Sequence, residues 1–420
     1  MKINKLIIAI TTLAAAAFSL SAENNTVSPY SRFGYGLISD QANTVQKSMG
    51  GVGYAMRSGR QINFMNPASY AGMDSLTFLF DIGADIKTLR TSDAGEKGSN
   101  FTGGLDYITL QVPITKWLGA SAGLIPYSEV GYSFGDEIAN GSNAHSGHGS
   151  LNQVYLGFGA TPFKGLSLGV NASYLFGTLV NDTYVYSDGD DNTSSSTSLF
   201  ERVIEVRDYD LRFGLQYRIA FNADNALTLG AVYSPAKTFR GHTYGVKYDV
   251  NADEKPDTIA NLNLNGRSRM AETWGAGINY EWQGRLMVEA DFTYQPWKNA
   301  RFATIEGFND ATGSFNNRWK AGIGLQFVNR PRGSWVQKIN YRLGAYYCND
   351  YIKVGDNSLR EIGVSLGFGL PAPSSKTMVN LSLEYKNRQA HPSPLVKENY
   401  FMVTLGVNFN ELWFWRNKLK

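Results

Sequence analysis

The chain has 420 residues, a formal net charge of +3 and one cysteine, Cys348, so it lacks the basic excess of nucleic-acid-binding proteins and any intramolecular disulfide or multi-cysteine metal site. Charged residues make up only 18%, below the roughly 25% usual in soluble domains. Glycine (44 residues), tyrosine (24) and phenylalanine (23) are abundant, which favours strands with aromatic girdles over helices.

The first segment predicts a secretory signal peptide over residues 1–22. Lys2 and Lys5 precede an apolar run at residues 6–18, which is too short to span a bilayer, and small residues follow at Ser19 to Ala22. The alternative is a retained anchor helix. Because no later segment is a candidate membrane helix, any membrane span has to be a closed β-barrel.

Residues 23–75 lack alternation, are rich in Gly, Ser and Asn, and predict a compact hatch or plug ahead of the barrel. Apolar hatch residues near two arginines could form a pocket with a cationic rim that suits a carboxylate. Alternatively they pack and pair the plug with Asp81, Asp85 or Glu289 inside the barrel, and the Asn-Pro-Ala element only seats a turn. The predicted ligand-binding residues are Arg57, Arg60, Phe64, Met65, Asn66, Pro67, Ala68 and Tyr70.

Residues 76–410 alternate apolar and polar side chains, which is typical of strands with one apolar and one polar face. In a soluble sandwich the apolar faces would pack together, whereas in an outer-membrane barrel they meet lipid and the polar faces line a lumen. We predict an all-β transmembrane antiparallel barrel of about 14 strands. Charged residues fall on the polar phase: Asp210, Arg212, Glu289, Asp291, Arg318, Lys320, Arg342, Glu361 and Glu384.

Connections alternate between short turns and long segments, the rule for outer-membrane barrels. The long loops are predicted at residues 128–150, 180–199, 249–269 and 295–317. Residues 411–420 are predicted to form a periplasmic aromatic and basic tail. Tryptophans near strand ends predict interfacial belts, with ordinary core positions as the alternative; they are Trp117, Trp282, Trp297, Trp335, Trp413 and Trp415.

Several local patterns resemble the FadL-type long-chain fatty-acid transporter family: residues 48–53 leading to Asn66-Pro67-Ala68, residues 231–241, and residues 271–277 followed by 291–297. The resemblance implies a fourteen-stranded barrel plugged by an N-terminal hatch. It also implies that a hydrophobic ligand is captured from outside and leaves sideways beside a kinked third strand, here residues 117–127. The residues of that lateral opening would be Gly119, Ser121, Gly123 and Pro126.

Three Gly-x-Ser-x-Gly matches, at residues 119–123, 165–169 and 363–367, lie inside alternating strands, whereas a nucleophile elbow needs a strand–turn–helix. We therefore predict no enzyme, no cofactor and no metal site. The expected function is passive uptake or binding of hydrophobic small molecules such as fatty acids, in the outer membrane of a Gram-negative bacterium. The alternative is a non-transporting barrel that acts as a structural or interaction subunit of an outer-membrane secretion or assembly complex. Expected partners are outer-membrane lipids, a hydrophobic ligand and other outer-membrane proteins, but no nucleic acid.

Overall fold

The structure is a computed structural model that describes residues 27–93, 95–138, 141–187, 196–238, 241–250, 256–263, 269–300, 315–373 and 376–413. Within these ranges fourteen antiparallel strands form a closed barrel, as the alternation predicts. The barrel strands are β2 (Thr77–Asp93), β3 (Glu96–Pro113), β4 (Leu118–Ile138), β5 (Gly141–Phe163), β6 (Leu166–Ser187), β7 (Ser196–Ala220), β8 (Asn225–Ser234), β13 (Thr273–Trp282), β14 (Leu286–Gln295), β15 (Arg318–Val328), β16 (Asn340–Val354), β17 (Asn357–Pro371), β18 (Met378–His391) and β19 (Lys397–Leu412).

The last strand closes the barrel on the first. In the β19–β2 pairing Phe409 lies opposite Phe80 and Leu405 opposite Ala84. The remaining elements are short: β1 (Leu37–Ile38), β9 (Lys237–Thr238), β10 (Gly241–Val250), β11 (Pro256–Asn263), β12 (Arg269–Met270), the helix α1 (Thr44–Lys47), and 3₁₀ turns at Pro29–Arg32, Pro67–Gly72, Trp297–Asn299 and Val336–Lys338. Among the described helices, none combines the length and the apolar character that crossing a bilayer demands.

Side chains of opposite polarity point to opposite sides of the wall. On β7, Leu211, Phe213 and Leu215 are 40–46% exposed on the outside, whereas Gln216 is fully buried inside. The same holds for the charges predicted on the polar phase, since Glu289 and Arg342 are at most 1% exposed. The outer surface therefore carries the apolar band that meets hydrocarbon, and the interior is polar.

Four neighbouring strands rise well beyond the rest of the wall. β4 to β7 contain 21, 23, 22 and 25 residues, whereas β8, β13 and β14 contain 10 each. A membrane-spanning strand needs about 9–11 residues, so the extra residues build a sheet outside the bilayer, which β10 extends by pairing with β7. The loops predicted at residues 128–150 and 180–199 are thus wrong for most of their length, because these polar residues form cross-strand ladders with one another. The loops predicted at 249–269 and 295–317 lie partly outside the described residues.

We call the two ends of the barrel the long-loop end and the short-turn end; the latter carries the tight turns at residues 114–117, 164–165 and 283–285. Five tryptophans, Trp117, Trp274, Trp282, Trp335 and Trp413, are 37–54% exposed. Trp297 is a correction: it is fully buried and packs on Tyr351 with ring centroids 4.5 Å apart. It belongs to an internal cluster at the long-loop end with Tyr35 and Phe315. Trp415 lies outside the described residues.

Candidate functional site

The N-terminal segment, residues 27–75, lies against inward-facing side chains of strands all around the barrel. Its firmest attachment is to β14. The carboxylate of Asp291 accepts the N–H groups of Gly53 (2.6 Å) and Tyr54 (2.9 Å). Glu289 accepts those of Ala55 (2.8 Å) and Met56 (3.0 Å) through one oxygen, Oε1. Four consecutive backbone donors of an irregular segment are therefore satisfied by two carboxylates of the wall.

Two ion pairs join the N-terminal segment to other parts of the wall. Lys47 on α1 lies 2.6 Å from Asp106, and Lys320 on β15 lies 2.7 Å from Asp40. Burial by itself raises the pKa of Asp40, but the positive charges of Lys320, Lys386 and Arg318 together outweigh it and hold that pKa well below the usual range. Burial by itself lowers the pKa of Lys47, but the carboxylates of Asp106 and Asp85 together outweigh it and raise that pKa. Both pairs are charged and mostly buried, so breaking either one leaves an uncompensated charge in the interior.

Inward-facing glycines allow the N-terminal segment to approach the wall closely. A Cβ at Gly344 would collide with the main chain of Met49 and Gly50, and one at Gly230 would collide with the main chain of Tyr54. Gly119 and Gly169 make room in the same way for residues 67–70. The abundance of glycine on the polar phase thus has a packing reason, and it fits the wall to this one segment.

The apolar residues of the predicted ligand pocket are packed rather than exposed. Phe64 and Tyr70 are at most 1% exposed, and Phe64 packs on Tyr107 and Tyr155 with ring centroids 5.9 and 6.1 Å apart. Met65, which is 8% exposed, lies in a separate cluster with Tyr54. Ligand binding by these residues stays a prediction, and it would require them to leave contacts that the structure already satisfies.

The Asn-Pro-Ala element caps a 3₁₀ turn and fastens it to the wall. The Asn66 amide donates to the carbonyl oxygens of Tyr54 (2.7 Å) and Leu215 (3.1 Å), while its oxygen accepts the N–H of Ala68 (3.1 Å). Pro67 and Ala68 are buried beside it. This geometry agrees with the structural interpretation, in which the Asn-Pro-Ala element forms a turn that seats the plug.

The structure does not bring the two predicted arginines to that apolar pocket. Arg57 and Arg60 lie at the short-turn end, where they line an open cavity of ≈ 1040 Å³. Arg57 donates to the hydroxyls of Ser167 (2.5 Å) and Thr161 (3.3 Å), and Arg60 reaches Asp74 at 3.5 Å. An apolar pocket with a cationic rim is therefore not assembled from these residues.

Two cavities adjoin the N-terminal segment inside the barrel, and both are small. One of ≈ 100 Å³ is lined partly by Asp40, Arg212 and Lys320, and one of ≈ 80 Å³ by charged side chains including Glu361 and Arg388. Sites for drug-sized ligands usually measure about 300–1,000 Å³ and are mostly apolar. Neither cavity has the size or the lining expected for a fatty acid.

The predicted lateral opening lies where the pairing between the second and third barrel strands, β3 and β4, ends. β3 and β4 pair only from Ile108 opposite Leu124 down to Pro113 opposite Gly119, so Ser121 and Gly123 lie in the paired part. Pro126 lies just beyond, at an irregularity of register with β5. Above this point the chain's own β1 covers the edge of β4, with Ile38 opposite Ser128 and Leu37 opposite Glu129.

The three serines of the Gly-x-Ser-x-Gly matches lie inside strands and face the N-terminal segment. Ser365 accepts the N–H of Gly50 (2.9 Å), Ser167 accepts a hydrogen bond from Arg57, and Ser121 bonds the hydroxyl of Tyr155 (2.9 Å). None sits on the strand–turn–helix of a nucleophile elbow. In the described part of the chain, no group of three or more His, Cys, Asp or Glu side chains is placed to hold a metal ion.

Sequence reasoning named Glu289 among the acidic barrel residues that could pair with the plug, but it missed Asp291 as an anchor. It also missed the kind of donor, because both carboxylates accept backbone N–H groups of the N-terminal segment. Two inward acidic residues on one strand, with no basic residue on the same strand, are the signal that could have suggested backbone donors from elsewhere.

Comparisons with known proteins agree with the fold. A protein-family model described as BamG matches residues 2–420. No curated protein matches the sequence significantly. Among solved structures, the CymD monoaromatic hydrocarbon channel is similar with a TM-score of 0.62 at 14% identity, covering 88% of this chain and 97% of that one. The Pseudomonas putida toluene transporter TodX (TM-score 0.61, 14% identity, 90% and 100% covered) and a Pseudomonas aeruginosa FadL homologue (0.62, 11%, 89% and 99%) are also similar. At these identities the likeness extends to the fold, a FadL-like barrel.

Proposed function

The chain belongs to the BamG family, and from this membership and the geometry of its interior we propose that it is a sealed outer-membrane barrel. In this proposal it serves as a structural or interaction subunit of an outer-membrane secretion or assembly complex in a Gram-negative bacterium. The apolar belt contacts outer-membrane lipids, and the tall sheet of β4 to β7 offers protein-sized surface outside the bilayer.

One observation carries this proposal: the interior is occupied by a segment whose backbone N–H groups at residues 50 and 53–56 are satisfied by the wall. Residues 53–56 donate to Glu289 and Asp291, and Gly50 donates to Ser365. Opening a path would orphan these buried groups, each at a cost of about 1–3 kcal/mol. A transporter needs a hatch that moves at low cost, whereas a scaffold benefits from one that does not.

The test combines purification and electrophysiology. The tagged protein, extracted from native outer membranes in mild detergent, is expected to elute with other outer-membrane proteins in fixed stoichiometry. In planar bilayers the purified barrel is expected to pass no steady ion current, while a form lacking residues 27–75 conducts. A barrel that elutes alone after native extraction and shows frequent channel openings would contradict the proposal.

A second candidate function is passive passage of hydrophobic small molecules, fatty acids among them. The FadL-like fold shared with hydrocarbon channels and the end of β3–β4 pairing at Leu124 favour it. In this candidate the ligand enters at the long-loop end and leaves through the predicted lateral opening into lipid. Proteoliposomes that accumulate labelled toluene or oleate faster than liposomes containing the Gly123→Val variant would support it, and equal rates would count against it.

A further inference from the structure

The short-turn end of the barrel carries an open cavity of ≈ 1040 Å³, which we call the basic bowl. Residues 56–61 of the N-terminal segment form its floor, and the ends and turns of the surrounding strands form its wall. The indole N–H of Trp335 donates to the carbonyl of Pro371 at 2.7 Å, which fixes a half-exposed ring at the rim. The bowl is therefore a shaped site with one closed side.

Cations dominate the lining of the basic bowl. Its positive side chains are Arg57, Arg60, Arg285, Lys338 and Lys376, against the carboxylates of Glu281 and Glu411. Glu281 is already paired with Arg218 at 3.0 Å, behind the lining. Over the described ranges, Arg60 is the only one of the five cations in an ion pair, with the exposed Asp74. The guanidinium of Arg285 lies 5.9 Å from the ring centre of Phe327. Arg57, Lys338 and Lys376 therefore carry the positive charge that no carboxylate of the described residues pairs.

The environment of Arg57 is a second, independent observation that favours an anionic ligand. Its guanidinium is half-buried and donates only to neutral hydroxyls, those of Ser167 and Thr161. Burial and then the nearby Arg218 lower the pKa of Arg57, so its charged form is disfavoured where it stands. A carboxylate in the bowl would relieve both effects and form a charge-assisted hydrogen bond.

Apolar side chains line the bowl together with the cations, among them Met56, Met287 and Val328. A lining that is both positive and apolar suits an extended peptide that carries acidic and apolar side chains. A lipid headgroup fits less well, because the floor lies within the barrel, shielded by the wall from the surrounding lipid. We propose that the basic bowl binds an acidic, extended peptide segment of a periplasmic partner; this rests on the proposed interaction function and names its partner chemistry.

The test measures binding of a fluorescein-labelled decapeptide of alternating Glu and Leu to the purified full-length barrel in detergent, by fluorescence anisotropy. The bowl variant replaces Arg57, Arg285, Lys338 and Lys376 by Gln. The matched control removes four charges at the long-loop end, in Arg90, Lys97, Arg360 and Lys397. We expect at least ~10-fold weaker binding for the bowl variant, given the modest strength of each partly exposed ion pair, and unchanged binding for the control.

Heat-dependent migration in gels shows whether each variant is folded, and a Lys-Leu decapeptide serves as the charge-reversed probe. Equal peptide affinity for the wild type and the bowl variant would overturn the proposal, as would equal weakening in the control variant. Binding of vesicles containing phosphatidylglycerol, lost in the bowl variant while the acidic peptide does not bind, would also overturn it and assign the bowl to lipid. Because ion conduction is measured separately, a failed bowl leaves the sealed-barrel proposal standing.

Discussion

The attachment of the N-terminal segment to β14 gives the sharpest test of a sealed interior. Glu289 is fully buried and accepts three hydrogen bonds: two from backbone N–H groups through Oε1, and one from Asn279 at 2.9 Å through Oε2. Glu289→Ala leaves these three donors without a partner in the interior. At about 1–3 kcal/mol for each buried orphan, and with partial relaxation, we expect a loss of about 3–6 kcal/mol.

Only the two backbone donors act on the equilibrium between the seated and the released N-terminal segment, because Asn279 belongs to the wall and loses its partner in both states. Their share is about 2–4 kcal/mol. A factor of ten corresponds to about 1.4 kcal/mol, so the released population should rise by about 30- to 10³-fold. Amide hydrogen exchange of residues 53–56 measures the rise directly, because these N–H groups exchange only when the segment leaves Glu289 and Asp291. Single-channel recordings should show openings that are absent from the wild type.

Glu289→Gln separates hydrogen bonding from charge. Its remaining oxygen occupies the place of Oε1 and still accepts both backbone N–H groups, while the Asn279 amide can turn to present its oxygen to the new amide. We therefore expect a loss below about 1.5 kcal/mol. Glu96→Ala, at the exposed long-loop end, is the surface control and should match the wild type. If the Ala and Gln variants exchange residues 53–56 at the wild-type rate, the carboxylate does not hold the segment and the reasoning fails.

Three further predictions address other contacts. Gly344→Val should lower the Tm and raise ion conduction, since its side chain collides with the N-terminal segment; the lipid-facing Ala290→Val should change neither. Because the pKa of Asp40 is depressed in the folded protein, its ion pair stabilises the fold fully above the ordinary carboxyl pKa of about 4 and progressively less as the pH falls below it. Thermal scans should therefore show a Tm that falls less steeply at acid pH for Asp40→Asn than for the wild type. Intact-mass spectrometry of the outer-membrane fraction should find the chain starting after Ala22; a mass that includes residues 1–22 would refute cleavage.

The barrel itself was predictable because its pattern is local. Alternation with a period of two residues places one face of a strand in an apolar environment and the other in a polar one. A single stretch such as residues 401–409 shows this pattern without reference to the rest of the chain. The inward position of Glu289 and Arg342, and the strand count, follow from the same pattern. The irregularity of register with β5 at Pro126 is likewise a local property of proline, which cannot donate to a ladder.

Local pattern also misled at particular places. Polar residues at 128–150 suggested a loop, but cross-strand partners turned most of them into ladder residues of a sheet beyond the membrane. Trp297 follows a strand end like the interfacial tryptophans, but the N-terminal segment folds over it and buries it. For residues 128–150 the neighbouring strands provide the partners, and for Trp297 distant residues such as Tyr35 provide the burial.

The sequence alone thus determined that the chain forms an antiparallel β-barrel, and whether each strand side chain points inward or outward. Only the tertiary structure decided which inward groups meet, since Ala55 and Glu289 stand 234 positions apart and no spacing rule joins them. It also separated Arg57 from Phe64, although the two residues are close in the chain. Arg57 lines the cavity at the short-turn end, whereas Phe64 packs in an internal aromatic cluster. The physical reason is that alternation is fixed by backbone geometry residue by residue, whereas a sealed interior depends on long-range closure of the barrel around its own N-terminal segment.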